Sequence, residues 1–144
     1  MQKNLMKAIA KVQAEAPVIK VDAKNPMYQG KKYATIKQIM DTIKPLLVKN
    51  DLLFTSCFAY RDEQWGVLSS LVWVGDNNIE TAEAFFPMER VADPQQLGKL
   101  ATYARRYNLT SLLNLCFEDD DDDDDGNSFA GKKTTKVAPK PLNL

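Results

Sequence analysis

At 144 residues the chain has room for one modest domain and a tail, and 44% hydrophobic residues is an ordinary fraction for a globular core. It contains no histidine, which removes the commonest general base near neutral pH and the commonest metal ligand, and with them most familiar hydrolase arrangements. The formal charges cancel, 19 basic against 19 acidic, but they are unevenly placed.

Residues 1–117 hold 15 Lys and Arg against 11 Asp and Glu, residues 118–125 are eight consecutive acids, and four lysines follow between Lys132 and Lys140. A positive globular part followed by an acidic block points to an anionic partner and to a tail that modulates access to it. No apolar run approaches the roughly 20 residues of a membrane span, so a soluble, cytosolic protein without membrane contact is expected. Cys57 and Cys116 stand apart in apolar surroundings and are expected to be buried, reduced thiols, with neither a zinc site nor a disulfide.

In chain order, residues 4–16 place Leu5, Ile9 and Val12 at helical spacing, flanked by Met6 and Ala8, and Pro17 stops the helix. Residues 21–32, rich in Lys, Asn, Pro and Gly, read as a loop or extended segment that ends at Lys31, Lys32 and Tyr33. Thr35 can cap a second helix with Ile36, Ile39, Met40, Ile43 and Leu47 on one face, and Pro45 is expected to bend its last turn or end it early. Three strands are predicted at 52–60, 66–74 and 78–87, joined by short turns into an antiparallel meander. The middle one is apolar on both faces and therefore needs a helix on one side and another protomer or a loop on the other.

Asp93-Pro94 opens the longest helix, about 95–115. On a helical wheel Leu97, Leu100, Ala101, Ala104, Tyr107, Leu112 and Leu115 fall on one side, and Lys99, Tyr103, Arg106 and Thr110 on the other. Leu109 and Leu113 are expected to look outward as neighbour contacts. The fold class is thus α+β: two helices, a three-stranded antiparallel sheet and a long helix across it. The expected division is a folded domain over residues 1–117 and a disordered tail, acidic then basic, over 118–144.

Tyr103, Arg105, Arg106 and Tyr107 combine phosphate-neutralising guanidinium groups with rings on which bases stack, the chemistry of sequence-tolerant single-strand binders. The plainer reading makes Tyr107 core, pairs Arg105 with a carboxylate and leaves Arg106 solvated. Lys31, Lys32 and Tyr33 form a second basic and aromatic cluster, which as a triplet is also what an ordinary exposed turn carries. Arg61, Arg90, Lys44 and Lys49 are not distinguishable from surface charge. Residues 118–125 offer carboxylates for magnesium but no preorganised geometry and no accompanying base, so no metal, cofactor or catalytic residue is expected. They read as a solubilising tail, or as a DNA mimic or partner-docking segment.

The run TYARRYNLTSLLNL (102–115), leading into an acidic block that ends in Asp124, Asp125, Gly126 and Asn127, resembles the ERF (essential recombination function) family of phage single-strand annealing proteins. Tyr33-Ala34-Thr35-Ile36, Ile39, Pro45 and the Leu46-Leu47 pair resemble the family's upstream helix, and the similarity covers most of residues 28–127. Leu97-Gly98-Lys99 departs from the family's usual glycine-serine pair, and the aspartate run is longer than usual. The resemblance implies the β-β-β-α core of recombination mediators, single-stranded DNA as ligand, ring or filament assembly, and action in a bacterial host's cytoplasm. It raises the claim of Lys31, Lys32, Tyr33, Lys99, Tyr103, Arg105, Arg106 and Tyr107 to touch DNA. No Walker-type motif is present, so annealing would be independent of ATP. A single-strand-protecting replication protein would share this surface, and an adaptor would use the acidic tail to recruit a host or phage protein.

Overall fold

The computed structural model describes residues 2–21, 23–24, 32–89 and 93–118; Lys31, Arg90 and the acidic and basic tail from Asp119 onward lie outside the described residues. Helix α1 (Lys3–Glu15) buries Leu5, Ala8, Ile9 and Val12, the stripe its three-and-four spacing predicts. Its own N-cap, Gln2, supplies no side-chain cap. The Glu80 carboxylate does so from the sheet, accepting the Leu5 N–H at 2.7 Å and the Asn4 side-chain amide at 3.1 Å. The positive end of the helix dipole favours a carboxylate at this position.

Part of the segment read as a loop or extended stretch forms a two-residue antiparallel ladder, β1 (Ala23–Lys24) with β2 (Lys32–Tyr33). Helix α2 (Ile36–Lys49) starts in a capping box: Gln38 N–H donates to Thr35 Oγ1 at 3.2 Å and Thr35 N–H to Gln38 Oε1 at 2.9 Å. The helix does not end early at Pro45. Pro45 and Asp41 lie on its exposed face, where the carbonyl that loses its amide partner faces solvent, and the helix continues to Lys49.

Strands β3 (Leu52–Arg61), β4 (Gln64–Gly75) and β5 (Asn78–Pro87) pair in that order as the expected antiparallel meander. Asp62 and Glu63 turn the first hairpin with φ of 49° and 63°, as primed two-residue turns require. The register sets Leu71 between Phe54 and Ala82, and Val67 between Phe58 and Phe86, on the face that carries the helices. On the other face a Cβ at Gly66 would lie 2.4 Å from the Phe85 ring and 2.5 Å from the Phe86 carbonyl oxygen, so this position has no room for a side chain.

Helix α3 (Pro94–Leu113) begins where Asp93 Oδ1 accepts the Gln95 N–H at 3.0 Å and ends at Asn114, in the left-handed conformation. Leu115 therefore lies past the helix, though still buried. Gly98 sits inside α3 in open space, so the departure from the family's glycine-serine pair leaves the helix entry intact.

The wheel needs a correction. Leu109 and Leu113, expected to look outward, are fully buried, whereas Tyr107, assigned to the apolar face, is 44% exposed. A single wheel assumes one contact surface, but α3 meets two. Its first half lays Ala104, with Leu97, Leu100 and Ala101, on Val67, Phe86 and Met88. Its second half turns Leu109 and Leu113 into the main core beneath α1 and α2, with Leu5, Val12, Ile39, Ile43 and Leu71.

Both cysteines are exposed rather than buried. Cys57 lies opposite Leu68 on the sheet face that the helices leave uncovered, and Cys116 follows α3 where the chain bridges to Ile19. Among the described residues no helix is long and apolar enough to cross a membrane.

Candidate nucleic-acid interface

Side chains three and four residues apart share a flank of a helix, so Lys99, Tyr103, Arg106, Tyr107 and Thr110 line one side of α3. Burial of Ala104, Asn108, Leu109 and Leu113 sets the helix's rotation and turns that flank outward. Asn108 is the polar member of this buried set. Its side-chain amide donates to the Val67 carbonyl and to Ser69 Oγ, both at 3.0 Å, and Ser69 in turn meets Ser56 Oγ at 2.9 Å. A satisfied polar network in the core fixes how α3 lies on the central strand. It was legible as one amide in an otherwise apolar stripe, but sequence reasoning passed over it.

On the outward flank Tyr103 and Tyr107 lie 4.4 Å apart between ring centroids, backed by Phe86 of β5 at 5.8 and 6.0 Å. The Arg106 guanidinium stands 4.9 Å from the Tyr33 ring centroid and 5.4 Å from each of those of Tyr103 and Tyr107. It also donates to the Ala34 carbonyl at 3.4 Å. Such cation–π contacts contribute about 0.5–1 kcal/mol at exposed sites. They hold the guanidinium plane among rings while leaving N–H groups for an external acceptor.

Lys32, Tyr33, Ala34, Arg106, Tyr107 and Phe117 are among the residues lining a cleft of about 350 Å³, and among the described residues no carboxylate lines it. A larger cleft, about 550 Å³, is lined by Asp51 and Asp76 with no basic residue among the described ones, which disfavours phosphate there. Among the described residues the ion pairs are Lys37–Asp41, Lys49–Glu15 and Arg61–Glu83, so Lys32, Lys99, Arg105 and Arg106 have no carboxylate partner within them.

The structure thus gathers Lys32, Tyr33, Tyr103, Arg106 and Tyr107 into one cluster, with Lys99 one turn away along the same flank. Arg105 does not join it. Two residues beyond Tyr103 is about 200° around a helix, so Arg105 leaves from the opposite flank, where it is exposed. Lys31 lies outside the described residues. Sequence reasoning also missed Phe86 and Phe117, and the exposed Phe58, Tyr60 and Trp65 of the β3–β4 hairpin, whose Tyr60 and Trp65 rings lie 5.4 Å apart.

The ERF superfamily pattern matches residues 5–143, nearly the whole chain. The chain belongs to the ERF superfamily. This makes it a recombination protein of the phage, strand-annealing type, in a family of annealing proteins rather than of known enzymes. No curated protein and no solved structure matches it. Within the stretch that resembles the ERF motif, the letters separate by physical role. Leu109 is core; Tyr103, Arg106 and Tyr107 form the outward cluster; Arg105 is exposed, with no ion pair among the described residues; and Thr102 Oγ1 bonds back to the Gly98 carbonyl at 3.1 Å.

Proposed function

We propose that this ERF protein binds single-stranded DNA along the outward flank of α3 and pairs complementary strands without ATP, in the cytoplasm of a bacterial host. The observation that carries this reading is the Arg106 guanidinium set among Tyr33, Tyr103 and Tyr107 beside Lys32, in a cleft that no carboxylate lines among the described residues. Phosphate is taken by Arg106, Lys32 and Lys99, and bases stack on the exposed face of Tyr107 and its neighbours. Stacking tolerates any base, because every base has a π face.

One protomer offers only a few phosphate contacts, so affinity for a long strand comes from many copies side by side, as a ring or filament. The hairpin aromatics Phe58, Tyr60 and Trp65, each more than half exposed, are the apolar surface we assign to that assembly. Neutralised phosphates and accessible bases leave base pairing to supply the free energy of annealing.

The test is a strand-annealing assay with two complementary labelled oligonucleotides, read against the spontaneous rate. Faster pairing at protein concentrations that saturate the strands supports annealing. Binding with slowed pairing would make the chain a single-strand-protecting protein, and no binding would remove DNA from its function.

A further inference from the structure

The chain leaves the described fold at the rim of the cleft just described. Ile19 N–H donates to the Cys116 carbonyl at 2.9 Å and Glu118 N–H to the Ile19 carbonyl at 3.0 Å, a parallel bridge that pins Phe117. Phe117 lines the cleft together with Tyr33, Arg106 and Tyr107. The sequence that follows is seven consecutive aspartates, residues 119–125. A polyanion therefore starts beside a cationic, aromatic cleft whose Arg106 and Lys32 have no carboxylate partner among the described residues.

We infer that the acidic segment 118–125 docks back over this cleft in the same molecule, its carboxylates occupying Arg106 and Lys32 where phosphates otherwise sit. The inference rests on reading the cleft as a phosphate site. An extended chain spans at most about 3.3–3.6 Å per residue, so the first few aspartates suffice to reach the guanidinium from a root on the cleft wall. A short flexible tether holds its end at an effective concentration of the order of millimolar. That suffices to occupy a site for which the free segment has only weak affinity, yet a strand held by several protomers displaces it. The consequence is discrimination: short or weakly held nucleic acid is refused, and long single strands are admitted.

The test uses the full chain and zero-length carbodiimide cross-linking at low salt, with peptides identified by mass spectrometry. Cross-links from residues 119–125 are expected to concentrate on Lys32, to stay within one molecule in a mixture of ¹⁴N and ¹⁵N protein, and to vanish at high salt, because screening dissolves a surface ion contact. Even spread over remote lysines such as Lys3, Lys7 and Lys37 would overturn the docking, and so would mixed-isotope cross-links.

A second measurement compares the natural chain with one in which Asp119 to Asp125 are all replaced by asparagine. With a millimolar effective concentration competing against DNA, the replaced chain should bind oligothymidine roughly three- to tenfold more tightly at low salt. That advantage should disappear as salt rises, and equal affinity at every salt concentration would overturn the shielding. Because the cross-linking needs no DNA, it separates the two ideas. Cross-links on Lys32 without any oligonucleotide binding would leave the docking standing and remove the single-strand reading.

Discussion

Arginines 105 and 106 are adjacent in sequence and leave α3 about 100° apart, but it is Arg106 that lies among Tyr33, Tyr103 and Tyr107, and this gives a direct experiment. If Arg106 holds a phosphate as proposed, Arg106→Ala removes one such contact per protomer, and the slope of log affinity for single strands against log salt should fall by about 0.7. Removing a charge-assisted contact costs about 1.5–3 kcal/mol, or roughly 10- to 150-fold in Kd. Arg106→Lys keeps the charge but not the plane that lies among Tyr33, Tyr103 and Tyr107. Its slope should match the natural protein, with a loss of about 0.5–1 kcal/mol, roughly two- to fivefold. Arg105→Ala removes an exposed side chain with no ion pair among the described residues, so stability should stay within about 0.5 kcal/mol and the slope should not change. Fluorescence anisotropy with labelled oligothymidine across a salt series measures the slopes, and thermal melts establish that each variant is folded. A folded Arg106→Ala protein with the natural slope, beside an Arg105→Ala protein with a reduced one, would refute the placement of the site.

Tyr107→Ala should lower affinity for single strands by about 1–3 kcal/mol if a base stacks there, with little change in melting temperature because the ring is 44% exposed. Leu109→Ala, at a fully buried position in the main core, should cost about 2–5 kcal/mol in chemical denaturation, where an outward leucine would cost almost nothing. Glu80→Ala removes the carboxylate that caps α1 and leaves the Leu5 N–H buried without it, and should cost about 1–3 kcal/mol by the same measurement. Replacing Tyr60 and Trp65 together by serine should leave the monomer folded and reduce self-association in analytical ultracentrifugation; unchanged association would move the interface elsewhere.

The element order, the capping of α2 by Thr35, the Asp93-Pro94 start of α3 and the antiparallel meander were legible in the sequence, because each is written in contacts within a few residues. Helical periodicity, a capping box and a two-residue hairpin are all local signals. The stripe of Lys99, Tyr103 and Arg106 was legible for the same reason. The two-residue ladder of β1 with β2 was not, since it is too short for any alternation to show.

The rotation of α3 was decided by tertiary packing. Leu109 and Leu113 face inward because α1 and α2 cover the second half of the helix, and a wheel drawn for one surface cannot contain a second. The surroundings of Arg106 are likewise non-local: its hydrogen-bond partner Ala34 is 72 residues away, and the cap on α1 reaches across 75 residues from Leu5 to Glu80. Residue types by themselves determined that a cationic and aromatic surface exists. Only the packing of a buried face, which sets the direction of every exposed side chain on the same helix, decided that Arg106 enters it with Tyr33 and Tyr107 and that Arg105 does not.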